Sequence, residues 1–260
     1  LELAQPVFSD CFYTKARASI KWLLSIINID SGHVINLGAN DGSRLYSLSE
    51  SSYDDFRPSL QLLSVLINGE KLFPDSICDE PLVWLGLNDE CPISEITATS
   101  VVLRDSGIVA MRSDNFLAVV KLSNRKFRPS HADCLHLDLF HRNKNLLRDA
   151  GSYGYHSPEW HHYFSGTGSH NTIQFDGHDQ MPRLSKFMFA KWLKSSRVDE
   201  ISVDESGQAW NGAYADSWGN RHARAVKINN KELIVADSIE GNFTTATLRW
   251  RLNPGEWKIE

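Results

Sequence analysis

Cysteine, basic charge and long apolar runs are all scarce in this sequence, and each scarcity excludes a class of protein. The four cysteines form no CxxC pair and are too few for a disulfide-built scaffold, so we expect structural thiols. A net charge of −5 gives no concentration of Lys and Arg for a phosphate backbone, so no nucleic-acid partner is expected. No run approaches the ~20 apolar residues of a membrane helix, so no membrane span is expected.

Helical periodicity is found near the start of the chain. With 42% hydrophobic residues, the 260 residues can bury a substantial core. Apolar and small side chains recur every three or four positions over residues 11–28, which predicts an amphipathic helix. A second helix is predicted to begin at Pro58, because proline is favoured at the first helical position, and to run through Leu66.

Short β-rich runs replace the helical pattern beyond about Pro74. Turn compositions such as Asp105-Ser106-Gly107 and Asn229-Asn230 separate them, which predicts an antiparallel β-sandwich or barrel. Leucine alternates mainly with polar residues over 135–140, which indicates a strand with one solvent-exposed face. The predicted strands are 96–103, 107–111, 117–122, 135–140, 172–175, 223–228, 233–235 and 244–252.

Histidine is concentrated in one stretch. Eight of the ten histidines lie between Arg128 and Asp179, together with several aspartates. Imidazole and carboxylate are ligands that suit Zn²⁺, and histidine also serves as an acid or base. The concentration therefore predicts a functional or metal site in this stretch.

Three segments in this stretch carry a family resemblance. They read RPSHADCLHLDL from Arg128, LRDAGSYGY from Leu147 and YFSGTGSHNTIQFDG from Tyr163. In order, they resemble the H-x-D, D-x-G-x-x-x-Y and H-N-T motifs of the heparinase II/III-like sandwich. Upstream, LGANDG from Leu37 looks like the loop that closes the helical toroid of that family.

The resemblance implies a fold and a reaction. Residues 1–75 would be the end of an (α/α) toroid and residues 76–260 an antiparallel β-sandwich of the supersandwich type, both cut from a longer chain. Family members cleave uronate-containing polysaccharides by β-elimination, which needs a base and a group that neutralises the substrate carboxylate. By motif position, His131 would be the catalytic histidine of the sandwich, and Asn40 a second catalytic candidate. Asn40 could instead only build a tight turn.

The resemblance also implies a zinc site. Matched to the relatives that hold a zinc, its ligands would be His131, Asp149 and His170, with Pro129 standing where such relatives often have another histidine. A simple hairpin about Arg142-Asn143 would place Asp149 opposite residue 137, roughly 20 Å from His131. Either the chain folds back near Ala132-Asp133, or the ligand set differs. His131 can act as ligand or as catalytic group, and both readings stay open.

Sugar-contacting residues are expected in the same region. The candidates are Asn171, Tyr155 and Trp160, since aromatic faces hold sugar rings, although such residues are more often core. Asn171 could instead satisfy backbone groups beside a strand. The expected partner is an acidic polysaccharide, the expected location is the periplasm or cell envelope, and a homodimer is left open.

Two classes of function remain in competition. The first is a polysaccharide lyase whose further catalytic residues, a Tyr and an Asn or His, lie upstream of Leu1. The second is a non-catalytic or biosynthetic protein that binds a polysaccharide of the cell envelope. Metal-dependent hydrolysis ranks below both, because the sequence has no nucleophile elbow, HExxH helix or paired-carboxylate motif.

Overall fold

The computed structural model describes residues 7–40, 42–44, 46–74, 76–87, 90–123 and 127–258. The chain divides into two compact units. One contains residues up to Val34 and Ser43–Thr99, and the other contains Ile35–Gly42 and Ser100–Glu260. Asp41, in the predicted loop from Leu37, lies outside the described residues.

The first unit is helical. Ser9 caps the first helix by accepting a hydrogen bond from the Phe12 amide, and Gly69 ends the second in the left-handed conformation (φ 71°). Both predicted helices are confirmed to within two residues. The helices are α1 (Asp10–Ile26), α2 (Arg57–Asn68) and α3 (Glu80–Trp84), with a 3-10 turn at Ser76–Asp79.

A buried amide ties the second helix to the chain that follows it. The Gln61 side chain donates to the Phe73 carbonyl and the Asp79 carboxylate, both at 2.8 Å, and accepts from the amides of Leu72 and Phe73. Burying a side-chain amide costs little only when its hydrogen bonds are made. Residues 76–99, assigned to the sandwich by the sequence-based division, therefore lie in the helical unit.

The second unit contains two antiparallel five-stranded sheets. The first has the order β1-β2-β3-β4-β5. The second has the order β10-β11-β12-β13, and β9 also pairs with β11. The strands of the first sheet are β1 (Val101–Leu103), β2 (Ile108–Arg112), β3 (Phe116–Lys121), β4 (Leu137–His141) and β5 (Lys144–Leu147). Those of the second are β9 (Ser195–Val198), β10 (Ser202–Asp204), β11 (Gly207–Ala215), β12 (Arg221–Ile228) and β13 (Leu233–Glu240).

Smaller elements complete this unit. Helix α4 (Pro158–Ser165) precedes a 3-10 turn at Thr167–Ser169. Two short pairs join β6 (Ile173–Phe175) to β14 (Ala246–Leu248) and β7 (Arg183–Ser185) to β8 (Met188–Phe189). The predicted strands at 172–175 and 244–252 thus pair with each other. Among the described residues, no helix is both long and apolar enough to span a bilayer.

The sandwich core lies between the two sheets. Alternate residues of the first sheet, such as Val109 and Met111, pack with Trp210, Tyr214 and Val226 of the second. The mainly β fold with antiparallel sheets is confirmed.

The prediction of a wet face on the strand near residues 135–140 was wrong. Leu137 and Leu139 face the core, but His136 and Asp138 on the opposite face are fully buried too. Polar residues on that face are therefore not solvated, and they must find partners inside the protein.

Gly212 is required by the packing of Trp210. A Cβ at position 212 would lie 2.2 Å from the indole of Trp210, which is completely buried and cannot move aside. We expect Gly212→Ala to lower the free energy of unfolding by about 1–3 kcal/mol, measured by denaturant titration. In a Trp210→Leu background the same change should cost clearly less, and equal costs in both backgrounds would contradict this account.

Candidate functional site

A tight turn brings the motif histidine back toward Asp149. The His136 amide donates to the Asp133 carbonyl at 3.0 Å, and Leu135 between them has a positive φ of 58°. Hydrogen bonds from Leu135 N to Lys121 O (2.7 Å) and from Lys121 N to His136 O (2.9 Å) hold this turn to the end of β3. The chain thus folds back at the position suggested by the first alternative, and the roughly 20 Å separation of a straight strand does not occur.

The turn completes a buried polar cluster. The cluster contains one ammonium, three carboxylates and three imidazoles, and each residue is less than 9% exposed. Ligand atoms of four of them, two imidazoles and two carboxylates, all lie within 4.8 Å of one another. The members of the buried cluster are Lys121, His131, Asp133, His136, Asp138, Asp149 and His170.

Lys121 supplies the positive charge of the buried cluster. Its Nζ lies 2.8 Å from Asp149 Oδ2 and 3.2 Å from Asp133 Oδ2. Burial opposes the charged form, but the two carboxylates raise the pKa of Lys121 above its ordinary value. Burial would likewise raise the pKa of Asp149, yet Lys121 and His170 hold it well below the usual range. The pair is therefore ionised at neutral pH.

The tautomer of His136 follows from its partners. The Asn171 amide donates to His136 Nδ1 at 2.8 Å, so this nitrogen carries no proton. His136 Nε2 then donates to Asp138 Oδ2 at 3.0 Å. Burial lowers the pKa of His136, and the ring is neutral.

The other two imidazoles have nitrogen atoms that no hydrogen bond satisfies. His131 Nδ1 and both ring nitrogens of His170 are buried without a hydrogen-bond partner. His170 Nδ1 faces Asp149 Oδ2 at 3.1 Å, and this contact helps to hold the pKa of the carboxyl low. Burial lowers the pKa of His131 to about 3, so its ring is also neutral at pH 7.

Asp149 has two roles. Its Oδ2 faces Lys121 and His170, while Oδ1 accepts hydrogen bonds from Gly151 N (2.8 Å) and Asn36 Nδ2 (3.0 Å). Oδ1 therefore caps the turn at Gly151, while Oδ2 is directed into the buried cluster.

A small cavity lies beside the buried cluster. Its volume is about 20 Å³, room for about one water molecule, and it is lined by His131, Asp133, Pro129 and Trp192, among others. The cavity therefore gives a solute of that size a place beside the two potential ligands on the motif segment.

The two predicted asparagines lie in different settings. Asn40 is exposed, and its loop is joined to the Asp149 segment through Asn40 N donating to Ser152 Oγ at 2.9 Å. Its side-chain oxygen accepts from Gly42 N, so it does build a turn. Asn171 is completely buried, and its amide donates to Leu137 O and Arg148 O. Asn171 therefore serves the backbone, which was the alternative to sugar binding.

The predicted aromatic residues belong to an exposed aromatic surface. Trp160 is 46% exposed, and its ring centroid lies 6.0 Å from that of Tyr153. Tyr155 is 37% exposed and meets Phe187 edge to face. Neither Trp160 nor Tyr155 is a core residue, so both remain available for ligand contact.

Arg224 of β12 connects the second sheet to the buried cluster. Its Nη1 donates to the carbonyls of Leu135 (2.6 Å) and Asn171 (2.7 Å), next to His136 and His170 respectively. Its other nitrogens bind Asp237 of β13 through two hydrogen bonds. His222 and Arg224 lower the pKa of Asp237 to about 2 in spite of its burial. Arg224 therefore positions two segments that carry cluster residues.

Comparison with known proteins places this geometry in a family. The model of the heparinase II/III-like C-terminal family matches residues 95–256. The chain belongs to this heparinase II/III-like family. That assignment agrees with the resemblance seen in the three sequence motifs.

Solved structures agree at the level of the fold. A heparan sulfate lyase HepC mutant from Pedobacter heparinus has a TM-score of 0.66 at 18% identity over 95% of this chain and 36% of its own. A heparinase III gene product has a TM-score of 0.68 at 16% identity over 97% of this chain and 36% of its own. This chain thus spans little more than a third of their length. No curated protein matches it.

Four members of the buried cluster were missing from the predicted site: Lys121, Asp133, His136 and Asp138. His136 was visible only as one of the histidines of the histidine-rich stretch. Lys121 stands inside the apolar run Phe116–Leu122, where an unpaired lysine would not be tolerated, and this was the available signal. Asp133 and Asp138 were visible only as part of the histidine-rich stretch. Their role depends on the turn at Leu135, which no periodicity predicts.

Loss of Arg224 should be costly. Arg224→Met would leave two buried carbonyls without this donor and would remove the guanidinium from Asp237, which keeps only its contact with His222 among those described here, so we expect the free energy of unfolding to fall by about 3–5 kcal/mol. Arg197→Met removes an exposed arginine that pairs with Asp199, and no measurable change is expected. Similar denaturation midpoints for the two variants would argue against Arg224 as a link between the sheets.

Proposed function

We propose that the buried cluster holds a zinc ion through His131, Asp149 and His170. Three observations support this. The carboxylates of Asp133, Asp138 and Asp149 are buried beside the ammonium of Lys121, which lies within 3.2 Å of two of them. Nitrogen atoms on both proposed histidine ligands lack hydrogen bonds. The donor atoms, including those of Asp133, are close enough to share one ion.

The chemistry of these donors fits zinc. Neutral imidazole and carboxylate are its usual protein ligands besides thiolate, and buried charge is tolerated when it coordinates a metal. When bound, the ion would act as a Lewis acid and fix the segments that carry its ligands. The Asp149 carboxylate would remain oriented by Asn36, Gly151 and Lys121. Such supporting contacts orient a ligand and tune its basicity.

His131 fits the ligand role better than the catalytic role. Neutralising a substrate carboxylate requires a cationic imidazole, and removing a proton efficiently requires a base whose pKa is near the working pH. Burial keeps the pKa of His131 at about 3, which meets neither requirement. A neutral ring with a buried, unpartnered Nδ1 is instead suited to a metal.

We infer that the longer protein is a polysaccharide lyase acting on an acidic, uronate-containing polymer by β-elimination. Membership of the heparinase II/III-like family carries this proposal. Trp160 and Tyr155 would contact sugar rings, because both present aromatic faces to solvent. Asn40 is a candidate for contact with the substrate carboxylate, since its exposed loop is fastened to the segment that bears Asp149. The chain would then form one wall of the active site.

A second candidate is a non-catalytic carbohydrate-binding or biosynthetic protein of the cell envelope. It is favoured by the neutrality of His131, which removes the expected catalytic group from the sandwich. The two candidates differ in one result, the formation of an unsaturated uronate.

The zinc proposal predicts a metal content that depends on His170. Purified without chelators, the protein should contain about one zinc per chain by elemental analysis, and His170→Ala should contain almost none. His141→Ala, which alters a histidine outside the cluster, should retain the metal. A chelator should also lower the thermal midpoint of the parent protein but not that of His170→Ala. Parent protein without zinc under these conditions would contradict the proposal.

The lyase proposal predicts an unsaturated product from the full-length protein. Incubation with a panel of uronate polymers should raise the ultraviolet absorbance of the unsaturated uronate. His131→Ala should reduce the rate by about 10²-fold or more if the metal-bound wall is needed to position the substrate. His141→Ala is the control and should keep the rate. Absence of product from every polymer would contradict the lyase proposal. Binding of a polymer without formation of product would favour the second candidate.

A further inference from the structure

A groove outside the buried cluster has no role in the function described so far. It is open to solvent, and its volume is about 350 Å³. Helix α4, the β6 turn and the β11–β12 connection each contribute to its wall. The residues important to the argument are Tyr163, Gln174, His178, Asp179, Arg183 and Trp218, and we call this the Trp218 groove.

Two stacked aromatic rings form one side of the Trp218 groove. The rings of His178 and Trp218 are nearly parallel, at 14°, with centroids 5.1 Å apart. Trp218 nevertheless remains 46% exposed. A large exposed indole that the protein does not cover is a typical anchor for a ligand with an apolar face.

Both rings are held by rigid turns. The Asp216 carboxylate accepts hydrogen bonds from the amides of Trp218 (2.9 Å) and Asn220 (2.8 Å). On the other turn, Asp176 accepts from the amides of Thr244 and Thr245, and His178 N donates to Phe175 O. A ligand would therefore meet a preorganised surface, and little ordering entropy would oppose binding.

Three arginines adjoin the Trp218 groove, although the chain as a whole carries a net charge of −5. Arg183 lines it and lies 3.3 Å from Asp179. Asp176 and Asp216, the other two carboxylates beside the groove, accept hydrogen bonds from backbone amides of their own turns. Arg249 donates to Gln174 at 2.8 Å and Arg251 donates to the Tyr163 hydroxyl, so these two guanidiniums bind neutral side chains that line the groove. A guanidinium placed in this way attracts an anion.

We propose that the Trp218 groove binds a uronate-bearing sugar unit of the polysaccharide, with a pyranose face on Trp218 and the carboxylate toward the arginines. The ligand class rests on the proposed function. The site itself is separate, because it contains none of the cluster residues and neither Trp160 nor Tyr155. A polymer could occupy this groove while another of its units is at the active-site wall, which would raise the apparent affinity for long chains over short ones.

The test is affinity electrophoresis of the protein in native gels that contain polyglucuronate, its carboxyl-reduced neutral form, or no polymer. We expect polyglucuronate to retard the parent protein, and Trp218→Ala to weaken this binding about tenfold. Trp218→Phe should weaken it less, because an aromatic face remains. Retardation should decrease with added salt and should be much smaller with the neutral polymer.

The control is Trp257→Ala, which removes a tryptophan of similar exposure (45%) outside the groove and should bind as the parent does. Three results would overturn the proposal: no retardation of the parent protein, equal retardation of Trp218→Ala, or equal binding of the neutral polymer. If Trp218→Ala failed to fold, Trp218→Phe and Trp218→His would test the proposal instead. We expect Trp218→His to lose the retardation by polyglucuronate completely and Trp218→Phe to lose it in part. Failure of the lyase proposal would be recognised separately. In that case no unsaturated product would form, but polyglucuronate would still retard the protein in a manner that depends on Trp218.

Discussion

A fully buried ammonium is tolerable only where carboxylates meet it, and Lys121 meets two of them inside the sandwich. Its contacts with Asp149 and Asp133 join the end of β3 to the segment after β5 and to the turn before β4. Removing charges from water costs several kcal/mol per ion, and this cost is offset only in good geometry. The positions of three chain segments are therefore coupled to one side chain. The same coupling aligns the donor atoms of His131 and His170 with those of Asp149.

Arg224 extends this constraint to the second sheet. It donates to carbonyls beside two cluster residues and is itself held by Asp237 of the neighbouring strand. The hydrophobic core between the sheets supplies the bulk of the stabilisation, since apolar burial is the dominant favourable term in folding. Hydrogen bonds from Arg224 Nη1 to Leu135 O and from Leu135 N to Lys121 O hold the turn at Leu135 in place. A core of alternating apolar residues alone would permit other arrangements.

The same burial limits the chemistry available to the cluster. The His131 ring, kept neutral by desolvation, is a poor base and carries no charge toward a substrate carboxylate, but neutral imidazole is a good metal ligand. The groups that recognise an acidic polymer then have to lie on the surface. The exposed aromatic surface around Trp160 and the Trp218 groove with its arginines have the required character. In this fold, the proposed metal ligands are therefore buried, whereas the residues proposed to contact sugar are exposed.

Sequence alone determined the family of the protein. It also determined the helices and strands whose apolar residues recur with a clear period. The two helices, the strands at 107–111 and 117–122, and the order of three motifs were all legible, because apolar periodicity and local motifs are properties of neighbouring residues. Strands β9 to β11 escaped prediction, since their exposed and small residues carry little apolar pattern. Tertiary structure decided the ligand geometry: a single positive φ at Leu135 reverses the chain. It also decided that Lys121 and Asp133 belong to the cluster and that Asn171 serves the backbone, because these roles depend on which distant groups share a buried space.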